Sequence, residues 1–428
     1  MKIKKANLNF DIEPFKMPLG FKGGYLSGAW QSIVCVETES NYAIGMGTQS
    51  VLWSDAGVFT SHSEAGGNSI MFAVTEYAAK LLQGREIDNP ISAQESILDE
   101  VHFYAQKITG RNNLRKTFTL NALVALDNAL WVLYAKETGK KDFYGMIPVE
   151  YREPLKYKHP LVACIPLMSY AVPMEDIGKA INDGFFTLKI KIGSDPDKDG
   201  DREKMLKWDM ERIKSIHGRF GEIPTEYTEN GKLPYYFDAN GRYDSKERLM
   251  RLIDFIDKIG ALDRVIIMEE PFPEELEADV SDFPVRIVAD ESAHTQEDTL
   301  KRSQMGYRGV ALKPIAKTLS MTLKILSEAE KRGMDYFCAD LTVTPPLLEW
   351  NKNVACRLKP LPGLKIPVVE SNGHQHYRDW DKLISRHPFP EAGWTSPVNG
   401  IFSLDADFYG KNGGIFDVSP YYEKQVRI

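Results

Sequence analysis

The feature that most constrains the fold of this chain is a regular alternation of short apolar segments and longer amphipathic segments between residues 161 and 369. The apolar segments have the length of buried strands, and the segments between them have the spacing of amphipathic helices. Eight strands that alternate with helices predict an α/β fold, a (β/α) barrel of the triosephosphate isomerase (TIM) type. A doubly wound open sheet would carry a glycine-rich fingerprint after its first strand, and residues 161–173 contain no glycine.

The predicted elements follow one another closely along this part of the chain. The strands cover residues 161–168, 185–192, 235–238, 265–268, 285–289, 309–313, 336–339 and 365–369. The helices cover residues 174–182, 202–217, 246–259, 296–305, 319–332 and 347–358, and a short segment at 274–280 follows the fourth strand. Residues 218–234 are polar and contain several glycines and prolines, so we expect an insertion loop at the end of the barrel away from the chemistry.

The first 150 residues show no such period. Residues 32–37 and 42–46 alternate in polarity and predict a β-hairpin or a β-meander, whereas residues 70–82 and 120–138 have helical spacing. Two glycine-containing stretches, residues 19–25 and 47–53, are predicted to be loops. This part is therefore predicted to be a mixed α+β unit that precedes the barrel.

Charge and cysteine content limit the class of protein. A net charge of −7 over 428 residues argues against a nucleic-acid partner, which needs clustered lysine and arginine. This charge does not favour docking to anionic membranes. The sequence contains no run of 18 apolar residues, so it predicts no membrane span. The chain begins with no signal-peptide pattern, and its four cysteines, at 35, 164, 338 and 356, show no CxxC spacing. We therefore expect a cytoplasmic protein with reduced, buried thiols.

Carboxylates stand at the ends of three consecutive predicted strands. Asp238, Glu269 and Asp290 follow the apolar residues of the third, fourth and fifth strands. The carboxyl ends of the strands form the active face of a barrel, so these side chains should converge. Three adjacent carboxylates repel one another unless a cation joins them, and an all-oxygen set suits Mg²⁺. The pattern predicts a site for one Mg²⁺ ion, with Mn²⁺ as the substitute.

Lysines stand at the ends of the second and sixth predicted strands. Lys189 and Lys191 are two residues apart, so they share one face of the second strand and point into the mouth of the barrel. Lys313 ends the sixth strand, which lies opposite the second in an eight-stranded barrel, so Lys191 and Lys313 should face each other. We also expect the neighbouring ammonium groups of Lys189 and Lys191 to lower each other's pKa, which would provide a base near neutral pH.

This arrangement favours one kind of chemistry. A substrate carboxylate binds the metal, one lysine removes the α-proton, and the metal stabilises the resulting enediolate. The opposite lysine returns a proton to the other face of the substrate or assists a leaving group. The expected partner is therefore a small-molecule carboxylate.

Taken in order, these motifs resemble those of the enolase superfamily, and within it the muconate-lactonizing subgroup of the mandelate racemase/muconate lactonizing enzyme-like proteins. The motifs are Lys-x-Lys at 189–191, Asp-x-Asn at 238–240, Glu-Glu-Pro at 269–271, Asp-Glu-Ser at 290–292 and Leu-Lys at 312–313. The resemblance covers nearly the whole chain. It implies an α+β capping domain over residues 1–150, a modified barrel over 151–375 and a C-terminal segment, 376–428, that returns to the cap.

The resemblance also implies roles for individual residues. The three strand-end carboxylates would be the Mg²⁺ ligands, and Lys191 and Lys313 would be the acid–base residues. Lys189 would be an electrostatic partner of the substrate carboxylate. Asn240 and Glu291 would support the site, with Glu291 paired to Lys313.

Two strand ends separate subgroups within this resemblance. The seventh strand is followed by Asp340 without a histidine, which argues against the mandelate-racemase-like members. The eighth strand ends in Glu-Ser-Asn at 370–372, where the dipeptide epimerases carry Asp-x-Asp. One carboxylate is kept, and loops from the first part of the chain should exclude water from the barrel mouth. The candidate substrate-side residues are therefore Asp340, Glu370, Asn372, Tyr25 and Trp53.

The chain is predicted to be an isomerase that racemises or epimerises an amino-acid-like or dipeptide-like substrate, and to form a homo-oligomer. A cycloisomerase or a syn-eliminating dehydratase (a lyase) of a carboxylic or sugar acid would use the same residues. A non-catalytic binding protein on the same fold is the alternative from another class. A phosphate-binding barrel enzyme would need a glycine-rich loop after the seventh or eighth strand, where Gly373 stands alone.

Overall fold

The computed structural model describes residues 1–21 and 24–427, so Lys22 and Gly23 of the predicted loop 19–25 lie outside the described residues. The N-terminal part contains a three-stranded antiparallel sheet of β1 (Lys5–Phe21), β2 (Gly24–Glu37) and β3 (Tyr42–Gln49), in that order. The helices that follow are α1 (Val51–Ser54), α2 (Ala56–Ser61), α3 (Glu64–Leu82), α4 (Pro90–Thr109), α5 (Lys116–Glu137) and α6 (Phe143–Met146).

The β1–β2 hairpin is the longest strand pair of the N-terminal part. It pairs Lys5 with Glu37 at one end, and its register shifts between Pro14 and Leu19. The predicted hairpin of β2 and β3 is confirmed, but the sequence prediction missed β1. Two prolines, Pro14 and Pro18, interrupt the alternation in β1, and proline in a strand argues against a strand assignment.

Helix α5 is the core of the N-terminal part, and most of its residues are buried. It packs against β3, where Gly45 allows a close approach: a Cβ atom at this position would lie 2.1 Å from the backbone oxygen of Ala125. The helix is long and apolar enough to cross a membrane by length and composition alone. However, 94% of its apolar window is buried inside the protein, as expected for a core helix that is hydrophobic all round.

The second part of the chain contains a ten-stranded sheet. Its strands are β4 (Leu161–Ile165), β5 (Leu167–Met168), β6 (Leu188–Lys191), β7 (Tyr235–Asp238), β8 (Val265–Glu269), β9 (Ile287–Ala289), β10 (Gly309–Leu312), β11 (Asp335–Cys338), β12 (Val368–Glu370) and β13 (Ile401–Ser403). The strand order is β13-β4-β12-β11-β10-β9-β8-β7-β6-β5.

Helices alternate with most of these strands and form the outer layer. They are α7 (Met174–Asn182), α8 (Arg202–Phe220), α9 (Lys246–Lys258), α10 (Gln296–Gln304), α11 (Pro314–Lys317), α12 (Leu319–Lys331), α13 (Pro345–Ala355), α14 (Gly373–His376), α15 (Trp380–Ser385), α16 (Ala406–Lys411) and α17 (Pro420–Val426). Short 3₁₀ turns lie at Val149–Tyr151, Glu153–Leu155, Leu262–Arg264 and Asn412–Gly414.

The barrel closes through its first strand, which Pro166 divides into β4 and β5. β4 pairs in parallel with β12, and β5 pairs in parallel with β6. Proline donates no hydrogen bond, but the Pro166 carbonyl accepts one from the Lys189 backbone N–H at 3.1 Å. The ten-stranded sheet therefore provides eight parallel positions in a ring, which confirms the predicted α/β class, a modified TIM barrel preceded by an α+β unit. β13 adds an antiparallel strand beside β4.

Two local predictions are wrong. Residues 47–53 are not a loop, because β3 extends to Gln49 and α1 begins at Val51. The helix expected after every strand is missing between β8 and β9, where residues 270–286 are irregular. Pro271, Pro273 and Pro284 fix the backbone there and remove hydrogen-bond donors that a helix needs.

The two remaining segments lie at the periphery of the barrel. The insertion after α8 pairs Thr228 with Leu364 ahead of β12, at the end of the barrel opposite the strand carboxyl ends. Helix α17 lies on the N-terminal sheet, where Asn7 Nδ2 donates to the backbone oxygen of Val426 at 3.0 Å. The four cysteines are buried and free, as expected.

The close approach of α5 to β3 makes a stability prediction. Gly45→Ala should lower the free energy of unfolding by about 2–3 kcal/mol, because the new methyl group meets helix backbone that has no room to shift. Gly218→Ala is the matched control: this exposed residue of α8 has open space around it, so the substitution should stabilise by about 0.5–1 kcal/mol. Denaturant unfolding followed by circular dichroism measures both, and a neutral Gly45→Ala would contradict the packing described.

Candidate active site

The carboxyl ends of the barrel strands open into a cleft between the barrel and the N-terminal sheet. The N-terminal part contributes residues of the β1–β2 hairpin and of the segment 48–53. The sequence-predicted site residues that line the cleft are Trp53, Lys189, Lys191, Asp238, Asn240, Asp290, Lys313, Asp340, Glu370 and Asn372.

Lys189 is at the centre of a cluster of buried charges. Its Nζ lies 2.9 Å from Asp238 Oδ2, 3.0 Å from Glu269 Oε2 and 3.1 Å from Glu370 Oε2. The lysine side chain is 4% exposed, and an unpaired ammonium group at such a position would be costly. The alternation of β6 directs this side chain inward, and the three carboxylates hold it at the ends of β7, β8 and β12.

Lys191 lies two residues further along β6, on the same face of the strand as Lys189. Its Nζ is 2.5 Å from Asp238 Oδ2 and also donates to the side-chain oxygen of Asn240. Asn240 in turn donates from Nδ2 to Glu291 Oε1 at 2.8 Å. A hydrogen-bonded chain therefore runs from β6 to the residues that follow β7 and β9.

Asp290 brings the other side of the barrel into the same site. Lys313, which follows β10, places its Nζ 2.6 Å from Asp290 Oδ2. Trp53 Nε1 donates to the same oxygen at 3.4 Å, and its ring centroid lies 4.6 Å from Lys313 Nζ. The N-terminal part therefore contacts a strand-end carboxylate and a lysine directly.

Sequence analysis missed Lys317, which is completely buried beneath this site. Its Nζ donates to the backbone oxygen of Asp290 at 2.6 Å and lies 3.4 Å from Oδ1 of the same residue. Lys317 follows Lys313 by four residues, a spacing that places two side chains on one side of a helix. That spacing could have indicated a role for Lys317, but the sequence did not show that a helix begins directly after Lys313.

Three acidic side chains come close enough for one cation to contact them all. One oxygen each of Glu269, Asp290 and Glu291 lies within 4.8 Å of the other two. The sequence-predicted set contains Asp238 in place of Glu291. The Asp238 carboxylate is held by the two lysines of β6, which lie 2.9 Å and 2.5 Å from its Oδ2 atom.

Carboxylate partners raise the pKa of two of the buried lysines. Burial lowers the pKa of the Lys189 ammonium, but its three carboxylate partners outweigh this effect and raise the pKa well above its ordinary value. Burial likewise lowers the pKa of Lys313, and Asp290 outweighs it and raises the pKa. The prediction that paired lysines lower each other's pKa is therefore wrong for Lys189, because opposite charges lie within 3.1 Å of its ammonium.

Two of the strand-end acids have pKa values that are shifted in opposite directions. Burial raises the pKa of Glu269 to about 8, against the opposing effect of Lys189. Burial also disfavours the charged form of Asp290, but Lys313 and Lys317 hold its pKa below the ordinary value. Tyr236 of β7 donates its phenolic O–H to Glu269, a contact that the sequence analysis did not anticipate.

Two backbone turns position the loop that carries Asp290. Asn240 and Glu270, which follow β7 and β8, have φ angles of 43° and 39°, a region that residues with side chains rarely adopt. Glu270 Oε2 accepts hydrogen bonds from the backbone N–H groups of Asp290 at 2.6 Å and Ser292 at 3.3 Å. The strained turn thus aims a carboxylate at the backbone of the next strand end.

The acids at the ends of β11 and β12 each accept a hydrogen bond from a backbone N–H of the other strand end. Asp340 N donates to Glu370 Oε2 at 3.0 Å, and Asp340 Oδ2 accepts from Asn372 N at 2.8 Å. Asn372 Nδ2 donates to Glu370 Oε1 at 3.3 Å. These bonds join the last two strand ends at one edge of the cleft.

Tyr25 is placed differently from the other predicted residues. Its side chain is 59% exposed, and Lys198 Nζ lies 5.8 Å from its ring centroid. Lys198 belongs to the loop between β6 and α8, so the β1–β2 hairpin extends over the end of the second barrel position. Tyr25 is not one of the described residues that line the cleft.

Known structures with this architecture were found, although no protein-family model and no curated protein matches the sequence. A mandelate racemase/muconate lactonizing protein from Herpetosiphon aurantiacus is 15% identical, with a TM-score of 0.64 over 94% of this chain and 96% of that chain. A dipeptide epimerase from Cytophaga hutchinsonii, complexed with Mg and the dipeptide D-Ala-L-Val, is 18% identical, with a TM-score of 0.64 over 88% and 89%. An N-succinyl Arg/Lys racemase from Bacillus cereus is 17% identical, with a TM-score of 0.63 over 88% and 89%.

At this level of identity the likeness defines the fold. The chain has the architecture of mandelate racemase/muconate lactonizing enzyme-like proteins, the branch of the enolase superfamily that the sequence motifs resemble. The resemblance inferred from those motifs is confirmed as a resemblance of fold.

The position of Lys317 leads to a second stability prediction. Lys317→Met should lower the free energy of unfolding by about 3 kcal/mol, because it leaves the buried Asp290 without one of its cationic partners. Lys80→Met, which breaks the exposed pair with Glu76, is the control and should change the free energy of unfolding by less than about 1 kcal/mol. Denaturant unfolding measures both values. Equal effects would show that Lys317 does not stabilise the site.

Proposed function

We propose that the chain is a Mg²⁺-dependent racemase or epimerase that removes a proton α to a carboxylate. The observation that carries the proposal is the placement of Lys191 and Lys313 on either side of three consecutive strand ends that bear carboxylates. β6 and β10 are four positions apart in the eight-position ring, so the two lysines approach the cleft from opposite sides. The epimerase and racemase among the structures of similar fold support this reaction class.

The strand-end acids suit a small divalent cation. All of the available donors are carboxylate oxygens, as Mg²⁺ prefers. Within the described part of the chain, the buried Asp290 Oδ1 accepts no hydrogen bond. We assign Asp238, Glu269 and Asp290 as the ligands and Glu291 as a supporting residue. When bound there, Mg²⁺ polarises the substrate carboxylate and makes its α-proton more acidic.

Lys191 and Lys313 act as the two acid–base groups. The neutral amine of one lysine accepts the α-proton, and the ammonium of the other donates a proton to the opposite face, so the configuration inverts. Asp238 contacts Lys191 and Asp290 contacts Lys313, so a carboxylate holds each lysine in position at the cleft. The ring of Trp53 covers Lys313 and excludes water from its side of the cleft.

Metal binding can be tested without turnover. Asp238→Asn, Glu269→Gln and Asp290→Asn should each weaken Mn²⁺ binding by about 100-fold or more, since each removes a ligand, whereas Glu291→Gln should weaken it by about tenfold or less. Electron paramagnetic resonance of free Mn²⁺ measures the affinities. A larger loss for Glu291→Gln than for Asp238→Asn would assign Glu291 as a ligand in place of Asp238.

Proton transfer can be followed in D₂O. With Mg²⁺, wild-type protein should replace the α-proton of both enantiomers of an accepted amino-acid derivative, as measured by NMR and chiral chromatography. Lys191→Ala and Lys313→Ala should each lower the rate of inversion by about 10²–10⁴-fold, because each removes the group serving one face. Retention of inversion in either variant would remove that lysine from the mechanism, and release of an elimination product would indicate a lyase.

A further inference from the structure

We infer that the cleft accepts a carboxylate whose α-nitrogen belongs to an uncharged amide and whose remaining chain is apolar, that is, an N-acyl amino acid without an ammonium group. This inference rests on the proposed function and specifies its substrate class. Three properties of the described cleft residues carry it: their acids are engaged, one wall is apolar, and two buried amide oxygens lack donors.

Two acids that line the cleft, Glu370 and Asp340, accept hydrogen bonds from the protein's own donors. Glu370 Oε2 receives hydrogen bonds from Lys189 Nζ at 3.1 Å and the Asp340 backbone N–H at 3.0 Å, and Oε1 receives one from Asn372. Both Asp340 oxygens accept backbone N–H groups, from Asn372 at 2.8 Å and Val343 at 3.4 Å. Every oxygen of these two acids therefore already accepts a hydrogen bond from the protein, and a substrate ammonium group would have to compete with those donors.

One side of the cleft is an apolar wall made of Phe15, Leu19, Leu26, Ala29 and Leu167. All five residues are buried, and together with Leu52, Tyr377 and Leu383 they form a hydrophobic cluster separate from the main core. An apolar substrate group against this wall gains the free energy of apolar burial, whereas a charged group there pays for desolvation.

The charged residues that flank the apolar wall in β1 are bound elsewhere. Glu13 accepts a hydrogen bond from Arg386, and Lys16 Nζ donates to the backbone oxygen of His374 at 3.0 Å. Neither residue lines the cleft. The described part of the hairpin therefore presents no charge to a substrate, in keeping with an uncharged acyl group.

Two side-chain oxygens in the cleft wall need donors. Gln49 Oε1 and Asn372 Oδ1 are buried, and neither has a hydrogen-bond partner among the described residues. The Nε2 group of Gln49 is already used, because it donates to Ser32 Oγ at 2.8 Å. A buried acceptor without a donor is unfavourable, and an amide N–H of a substrate can supply one.

A set of leucine derivatives tests the inference by α-proton exchange in D₂O with Mg²⁺. N-propionyl-leucine and Ala-Leu have nearly the same shape and differ in the ammonium group, and N-succinyl-leucine adds a distal carboxylate. We expect kcat/KM for N-propionyl-leucine to exceed that for each of the other two by about tenfold or more. In the ester analogue, an oxygen atom replaces the amide N–H of N-propionyl-leucine. Its kcat/KM should be about tenfold lower, because a buried acceptor then remains unpaired.

Variants of the apolar wall provide a matched control. Leu26→Asp should shift the preference between Ala-Leu and N-propionyl-leucine toward Ala-Leu by about tenfold relative to Leu26→Asn, which has similar size and no charge. Gln49→Leu should raise KM for N-propionyl-leucine several-fold and leave KM for the ester analogue nearly unchanged.

The outcomes separate the inference from the proposed function. Faster exchange of Ala-Leu or N-succinyl-leucine would overturn the substrate class and leave proton abstraction intact. If no compound exchanges, the proposed reaction fails, and calorimetric titration of the wild-type protein with Mg²⁺ then decides the substrate class alone. Tighter binding of N-propionyl-leucine than of Ala-Leu would support it, and equal or weaker binding would overturn it.

Discussion

The structure depends on ion pairs that are made inside the barrel mouth between lysines and strand-end carboxylates. Neither sign of charge is tolerable there alone, because a buried ionised group without a partner costs several kcal/mol. Lys189 joins the ends of three strands through its carboxylate partners, and Lys313 and Lys317 both bind Asp290. The same contacts that make the burial possible therefore also hold the reactive groups in fixed positions.

The two parts of the chain contribute differently to the site. The barrel supplies charge and acid–base groups from the ends of its strands, whereas the β1–β2 hairpin supplies apolar surface. Trp53 connects the two, since it belongs to the N-terminal part and donates to a barrel carboxylate at 3.4 Å. This division explains how substrate preference can change in one part of the chain without disturbing the chemistry of the other.

The barrel could be predicted from the sequence because its strand–helix period is local and its strand ends carry unusual residues. The inward orientation of Lys189 followed from alternation along one strand, which needs no knowledge of neighbours. The raised pKa of that lysine could not be predicted, because it depends on Asp238, Glu269 and Glu370, which come from other strands. β1 was missed because two prolines interrupt the alternation of the strand. Lys317 was missed because the role of a buried lysine is clear only when its partner is known.

The division of the first barrel strand by Pro166 has a consequence for how the chain folds. β4 pairs with β12 through Ala163 and Val368, and with β13 through Val162 and Phe402, so the seam of the ring joins residues far apart in sequence. Forming such contacts costs loop-closure entropy before they give any stability, and chains dominated by them fold slowly. The strands from β5 to β11 can assemble in order as they are synthesised, but the ring stays open until β12 has left the ribosome. In the nascent chain, β4 is therefore an unpaired strand edge for most of synthesis, and it is the segment with most to gain from a chaperone.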